Sequence, residues 1–132
     1  MKKKLDVPKS IKNILVVAGE EGFGNSIKCF IEDFLRYSVT TASPTEALRL
    51  LQNKAVKFDL LLTSVMMPEM NMNGKALSEA ITKLRPDIKV LFMSGCTLDE
   101  LVKKGILEEE AAFLSKPFTI DDLEAKIIEL LS

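Results

Sequence analysis

The chain has 132 residues with 18 basic and 19 acidic side chains, so its formal net charge is −1. This length is typical of one domain, and 47% hydrophobic residues are enough to build a core without disulfides or metal. The two cysteines lie far apart and predict neither a disulfide framework nor a zinc cluster, and histidine is absent. The composition therefore excludes Ser-His-Asp and Cys-His catalysis, as well as phosphotransfer through a histidine of this chain.

The N-terminal residues predict neither a membrane span nor a signal peptide. No apolar run approaches the ~20 residues that cross a bilayer, and the lysines at 2–4 lead into a segment with Asp6 and Pro8. We therefore expect a soluble, cytoplasmic protein with a basic N-terminal arm at 1–11 and a folded domain at 12–132. Contact of the arm with nucleic acid or acidic lipid is an alternative, but such arms are usually solvated, so we assign it neither partner.

The first half of the chain predicts three strands and two helices. Asn13–Val17 is continuously apolar, as is typical of a parallel strand covered by helices on both faces. Apolar residues then recur at helical spacing over 27–35, which predicts the first helix. The more polar run Ser38–Ala42 predicts an edge strand. Residues 43–46, Ser-Pro-Thr-Glu, predict a capping box that opens the second helix, and Asp59–Thr63 is again a continuously apolar strand.

The second half continues the same alternation. Apolar spacing predicts the third helix at 76–84, and Lys89–Ser94 is the fourth strand. Residues 97–100, Thr-Leu-Asp-Glu, form a second capping box before a short fourth helix. A weaker strand at Ala112–Ser115 precedes a fifth helix that Thr119 caps. We therefore expect an α/β fold of five parallel strands with right-handed crossovers, whose functional crevice lies at the carboxyl ends of the strands.

Four motifs occur in chain order on or after the predicted strands: Ile14–Val17, Met66–Met70, Val90–Gly95 and Ala112–Phe118. Together they resemble the receiver domain of bacterial two-component response regulators, and the resemblance extends from about Lys12 to Leu131. Because the pieces stand in the right order on the right strand ends, the match is specific. It implies a flavodoxin-like, three-layer doubly wound fold with strand order 2-1-3-4-5. It also implies a role in phosphorelay signal transduction rather than an enzymatic activity.

The resemblance also implies which residues occupy the functional positions of the family. In receivers an acid at the end of the third strand accepts the phosphoryl group, two acids after the first strand help to hold Mg²⁺, and a lysine contacts the phosphoryl group. Here the phosphoacceptor position falls on Ser64 and the acid pair on Ala18 and Gly19. The switch hydroxyl, the switch aromatic residue and the lysine are matched by Ser94, Phe113 and Lys116.

The three substituted positions remove the chemistry of a phosphorylation site. Mg²⁺ needs one or two carboxylates, and only the Met66 carbonyl and Glu20 or Glu21 remain nearby, so we expect no bound metal and no cofactor. A serine hydroxyl attacks phosphorus poorly without a base, so we interpret Ser64 as a small polar residue that fills a vacated pocket. Asp59 does not replace the acceptor, because five residues at ~3.3 Å each put it about 16 Å from Ser64.

We therefore expect a degenerate receiver that acts by protein–protein interaction and independently of phosphorylation. The implied partners are a histidine kinase, another receiver or an output domain, and a homodimer through the fourth helix, fifth strand and fifth helix is also open. Two alternatives remain for the altered pocket. One is non-standard phosphorylation through Ser64 or Glu20, and the other is binding of a small anion by Lys116 with the hydroxyls of Ser64, Ser94 and Thr97.

Overall fold

The computed structural model describes residues 12–18, 21–35, 37–66 and 73–132, with the backbone alone described at 21–23 and 34. The proposed basic arm at 1–11 lies outside the described residues. So do Gly19, Glu20 and residues 67–72.

Five strands form one parallel sheet. They are β1 (Asn13–Val17), β2 (Ser38–Thr41), β3 (Leu60–Ser64), β4 (Lys89–Ser94) and β5 (Phe113–Ser115). Their order across the sheet is β2-β1-β3-β4-β5, and all four pairings are parallel. The structure thus confirms the flavodoxin-like α/β fold and the strand order that the sequence predicts.

Five helices connect and follow the strands: α1 (Glu21–Phe30), α2 (Pro44–Gln52), α3 (Gly74–Leu84), α4 (Leu98–Lys103) and α5 (Ile120–Leu131). A π-helical segment, Ile31–Leu35, continues α1. The capping boxes predicted at Ser43 and Thr97 are both present, and Thr119 caps α5 as expected. Within the described ranges, no helix is long and apolar enough to cross a membrane.

The third strand is displaced by one residue from its predicted position, because Asp59 is used to fasten the amino ends of the strands. Its Oδ2 accepts a hydrogen bond from the Asn13 N–H at 2.8 Å, and its own N–H donates to the Asn13 carbonyl at 2.8 Å. The Asp59 carbonyl accepts from the Lys89 N–H at 3.1 Å. Asp59 therefore holds β1 and β4 together at the edge of the sheet opposite the predicted site.

Alternate residues of the central strands enter two different core layers. Ile14 and Val16 pack into the layer that contains residues of α1 and α5. Leu15 and Val17 pack into the layer built with α2 and α3. Since both faces of β1 are buried, a continuously apolar strand is what the sheet requires. A smaller third cluster lies beneath α4, and its buried members are Val65, Phe92, Leu101 and Leu107.

Candidate functional site at the carboxyl edge of the sheet

The predicted site residues converge at the carboxyl ends of the strands. Ser64 ends β3 and Ser94 ends β4, while Ala18 and Lys116 directly follow β1 and β5. The strand registers bring these ends level, since Val17 is paired with Thr63, and Ser64 with Met93. The structure therefore brings Ala18, Ser64, Ser94 and Lys116 to one edge, which we call the carboxyl edge, whereas Phe113 is the first residue of β5. Gly19 lies outside the described residues.

Ser64 is buried, with 5% of its surface exposed. Its carbonyl oxygen accepts a hydrogen bond from the Thr63 hydroxyl at 3.0 Å. The first residue of α3, Gly74, lies close to the same carbonyl. Its N–H donates a hydrogen bond to the neighbouring Val65 carbonyl at 2.7 Å. A side chain at Gly74 would collide with Ser64, so glycine is required for this close approach. The phosphoacceptor position is thus closely packed on its backbone side.

The hydroxyl of Ser94 is already used within its own turn. Its Oγ accepts a hydrogen bond from the Cys96 N–H at 3.1 Å, and Ser94 is 6% exposed. Phe113 is half-buried and packs, with Cys96, against the third core cluster. Ser94 is therefore hydrogen-bonded within its own turn, and Phe113 packs against the apolar cluster beneath α4.

Lys116 is tied to the end of β4 through its backbone. Its N–H donates to the Ser94 carbonyl at 2.7 Å, and the peptide bond between Lys116 and Pro117 is cis. The Lys116 side chain is half-buried. The residue that the resemblance matches to the family's lysine thus lies at the carboxyl edge.

The start of α4 is negatively charged and its capping groups are satisfied. Glu100 Oε1 accepts from the Thr97 N–H at 3.0 Å and from the Thr97 hydroxyl at 3.1 Å, while the Thr97 Oγ accepts from the Glu100 N–H at 3.1 Å. The bond from the Thr97 backbone, then that from its hydroxyl, lowers the pKa of Glu100 below its ordinary value, so its carboxylate is charged at neutral pH. This arrangement weighs against Thr97 as a ligand for an anion.

The described residues of the carboxyl edge do not fit Mg²⁺. At two of the positions that the resemblance assigns to acids, Ala18 and Ser64 supply a methyl group and a hydroxyl, whereas Mg²⁺ is held in proteins by carboxylates. In the part of the chain that the structure describes, no group of three or more acidic or cysteine residues is placed to hold a metal ion. The donor set therefore lacks the chemistry that the family's metal needs.

A sequence model described as "Response regulator receiver domain" matches residues 14–128. The chain belongs to this family. A curated relative, the sensor kinase CckA of Brucella abortus, is 33% identical over 90 residues, which are 68% of this chain and 9% of CckA. The response regulator receiver protein CpdR of the same organism is 38% identical over 74 residues, 56% of this chain and 60% of CpdR. This receiver thus spans less than two thirds of the length of these relatives.

Solved receiver structures share the fold over almost the whole chain. The receiver domain protein of Methanospirillum hungatei has a TM-score of 0.76 at 31% identity, covering 92% of this chain and 94% of that chain. The receiver domain protein of Clostridium thermocellum has a TM-score of 0.73 at 28% identity, with the same two coverages. The receiver fold is thus supported by sequence and structure together.

Two features of the site were not predicted from the sequence. One is the contact of Gly74 with the end of β3, and the other is the cap of α3, where the Asn73 side chain accepts from the Ala76 N–H at 2.8 Å. The available signal was the Asn-Gly pair itself, which marks a turn or the start of an element. It does not reveal which backbone the glycine approaches.

Proposed function

We propose that this receiver is a pseudo-receiver, a binding module of two-component signalling that acts without being phosphorylated itself. The observation that carries the proposal is the substitution of the phosphoacceptor and acid-pair positions by Ser64, Ala18 and Gly19 on an intact receiver scaffold. The family acts in signalling. A role in binding another protein does not require the carboxylates that this chain lacks.

Three physical arguments support phosphorylation independence. An acyl phosphate forms only on a carboxylate, and the residue at the acceptor position is a serine. A serine needs a general base, and no histidine occurs in the chain. The incoming phosphoryl group also needs a cation to neutralise its charge, and the described edge lacks carboxylates that would hold Mg²⁺.

Phosphorylation by a small acyl-phosphate donor tests the proposal directly. The protein is incubated with acetyl phosphate and Mg²⁺ and its intact mass is measured, with a receiver that carries the family aspartates as the positive control. We expect no phosphoryl adduct on this chain. A matched variant, Ala18→Asp with Gly19→Asp and Ser64→Asp, restores the missing acids and shows whether the scaffold still supports the reaction.

The same assay separates the alternatives. A phosphoryl adduct that hydroxylamine removes indicates an acyl phosphate, for example on Glu20, and contradicts the proposal. An adduct that resists hydroxylamine and disappears in Ser64→Ala indicates non-standard phosphorylation of Ser64. Binding of a small anion instead predicts that phosphate shifts the NMR signals of Ser64 and Ser94, and that Lys116→Ala abolishes these shifts.

We further propose that the partners are a histidine kinase or another receiver, as the names of the relatives CckA and CpdR support. Two surfaces suit such contacts. One consists of α4, β5 and α5, which would also serve a homodimer. The other is an apolar groove of ≈200 Å³ between α1 and α5, lined by Ser26, Ile27, Phe30, Phe118, Ile120 and Leu123.

Two exposed isoleucines on α5 test whether the groove contacts the partner. Ile120 is 57% exposed and lines the groove, whereas Ile128 is 46% exposed and does not. A two-hybrid panel of the histidine kinases and receivers of the same genome identifies the partner. If the groove is used, Ile120→Lys weakens the interaction and Ile128→Lys does not. Sedimentation of the purified chain reports the homodimer separately.

We also propose that residues 1–11 form an arm outside the folded domain at 12–132, and that the protein is cytoplasmic. Two free cysteines support a reducing compartment, since disulfides are rare there. Limited proteolysis followed by mass measurement tests the domain boundary, with cleavage expected before Lys12.

A further inference from the structure

A groove of ≈280 Å³ lies between α3 and the segment that follows α4. Its apolar lining comes from Phe92 of β4 and from Leu107 and Ala111. Its acidic lining comes from Glu79 of α3 and from Glu108 and Glu110, all three exposed. We call this feature the α3 groove.

α4, which precedes two of the groove's glutamates in the chain, stops after six residues. Gly105 adopts a φ of +73°, its N–H donates to the Val102 carbonyl at 3.0 Å, and the Ile106 N–H donates to the Leu101 carbonyl at 2.8 Å. This pair of hydrogen bonds is the Schellman motif, which ends a helix at a glycine. Leu107 enters the third core cluster, and the following turn carries the glutamates to the groove.

The polar groups of the α3 groove are mostly hydrogen-bond acceptors. Ser78, which is 8% exposed, donates its hydroxyl proton to the Lys75 carbonyl at 2.8 Å, so its oxygen offers only lone pairs to a ligand. The three glutamates accept as well, and Lys75 supplies the single ammonium among the lining residues. Three carboxylates against one ammonium favour a cationic occupant that donates hydrogen bonds.

We propose that the α3 groove binds an arginine side chain presented by a basic segment of a partner protein. Charge complementarity selects the cation, and the mixed lining selects arginine over a compact ammonium. The aliphatic stem of an arginine packs on apolar surface such as Leu107 and Ala111, while its planar guanidinium donates to two carboxylates at once. The volume of the groove is sufficient for one long side chain. The inference rests on the proposed function as a binding module, but not on the chemistry of Ser64.

An NMR titration of the full chain tests this proposal with a defined probe. The probe is acetyl-Arg-Arg-amide, and the control is acetyl-citrulline-citrulline-amide, which keeps the shape and removes the charge. We expect saturable shifts of the backbone amides of Ser78, Glu79 and Ala111 with the arginine peptide, and at least a threefold weaker affinity for the citrulline peptide. High salt should weaken the arginine complex, because screening acts on exposed charges.

Neighbouring glutamates of one turn provide matched variants. Glu110→Gln removes a groove carboxylate and should weaken binding about threefold, the range of one exposed ion pair. Glu109→Gln makes the same change at an exposed residue outside the groove lining, and should leave affinity unchanged. Ala111→Leu narrows the groove and should abolish the shifts without loss of fold, which the remainder of the spectrum reports.

Equal binding of both peptides, equal effects of Glu109→Gln and Glu110→Gln, or no saturable shift at the groove would overturn the proposal. These outcomes leave the proposed function untouched, because it fails only if the chain is phosphorylated. Conversely, a phosphoryl adduct in the acetyl phosphate assay says nothing against arginine binding in the α3 groove.

Discussion

Replacing Gly74 with alanine measures how closely α3 is held against the end of β3. A β-carbon built at Gly74 would lie 2.2 Å from the Ser64 carbonyl oxygen, 3.1 Å from the Ser64 carbonyl carbon and 3.2 Å from the Val65 Cα. All three are backbone atoms, so no side-chain rotation relieves the overlap. Either α3 or the strand end has to move, and the 2.7 Å hydrogen bond from the Gly74 N–H to the Val65 carbonyl opposes that movement.

The expected cost follows from two opposing effects. Overpacking a close contact typically destabilises a protein by 1–3 kcal/mol and occasionally more, and a clash with backbone belongs at the upper end. Alanine in place of glycine in a helix contributes at most ~1 kcal/mol in return, and less at a first helical residue such as 74. We therefore expect Gly74→Ala to lower the free energy of unfolding by about 2–3 kcal/mol.

Gly24→Ala is the matched control. Gly24 is buried within α1, but the nearest atom to an added β-carbon is the Ala18 Cβ at 3.8 Å, an ordinary contact. Since the position accommodates a methyl group, the loss of unfolded-state freedom should stabilise the protein by roughly 0.4–1 kcal/mol. The two substitutions are chemically identical and are predicted to have opposite signs.

Urea unfolding followed by circular dichroism gives both free energies, and NMR shifts near Ser64 report whether the carboxyl edge has moved. The reasoning is refuted if Gly74→Ala unfolds at the same or a higher urea concentration than the parent chain. It is also refuted if Gly24→Ala is destabilised as much, because the effect would then be independent of the contact with Ser64.

Three further predictions concern the charged and substituted positions. Glu32→Gln should lower the free energy of unfolding by about 0.5–1 kcal/mol, because Glu32 pairs with Lys28 at 3.4 Å and accepts a backbone N–H of the edge strand β2; Lys103→Met, which removes a far more exposed pair, should change it less. Glu100→Gln should lower the melting temperature more at pH 7 than in acid: a lowered folded-state pKa contributes stability above the ordinary value of 4.5, and this is lost as pH falls through the lowered value. Ser64→Asp alone should acquire no phosphoryl group from acetyl phosphate in the mass assay, because the acid pair is still missing; efficient labelling would show that other acids hold the metal.

Local sequence patterns predicted most of the fold. The continuously apolar strands Asn13–Val17 and Lys89–Ser94 indicated a sheet covered on both faces, and the structure buries them in that way. The caps at Ser43, Thr97 and Thr119 depend on residues only three positions apart, so spacing alone revealed them. These caps depend only on residues within one helical turn, so they can be predicted without a tertiary structure.

Features that depend on distant segments could not be predicted in this way. The Glu32 carboxylate lies in the π-helical segment Ile31–Leu35 and accepts a hydrogen bond from the Val39 N–H of the edge strand. No periodicity in the sequence predicts that segment. The one-residue shift of β3 arises because Asp59 bonds Asn13, a contact 46 residues apart. The position of Ser94 was predicted from a motif, but its bond to the Cys96 N–H required the folded turn.

The receiver scaffold tolerates a changed carboxyl edge because its stability is built elsewhere. Its two main core layers are formed by alternate apolar residues of the strands, and Asp59 fastens the strands at the opposite edge. Three carboxylates gathered at one edge repel one another unless a cation is bound. In a receiver that keeps these acids, this repulsion lowers the free energy of unfolding, and the core must offset it. In the pseudo-receiver that we propose, Ala18 and Ser64 occupy two of these positions and carry no charge, so this repulsion is reduced. A chain that acts only by binding can therefore keep the fold and lose the acids without a loss of stability.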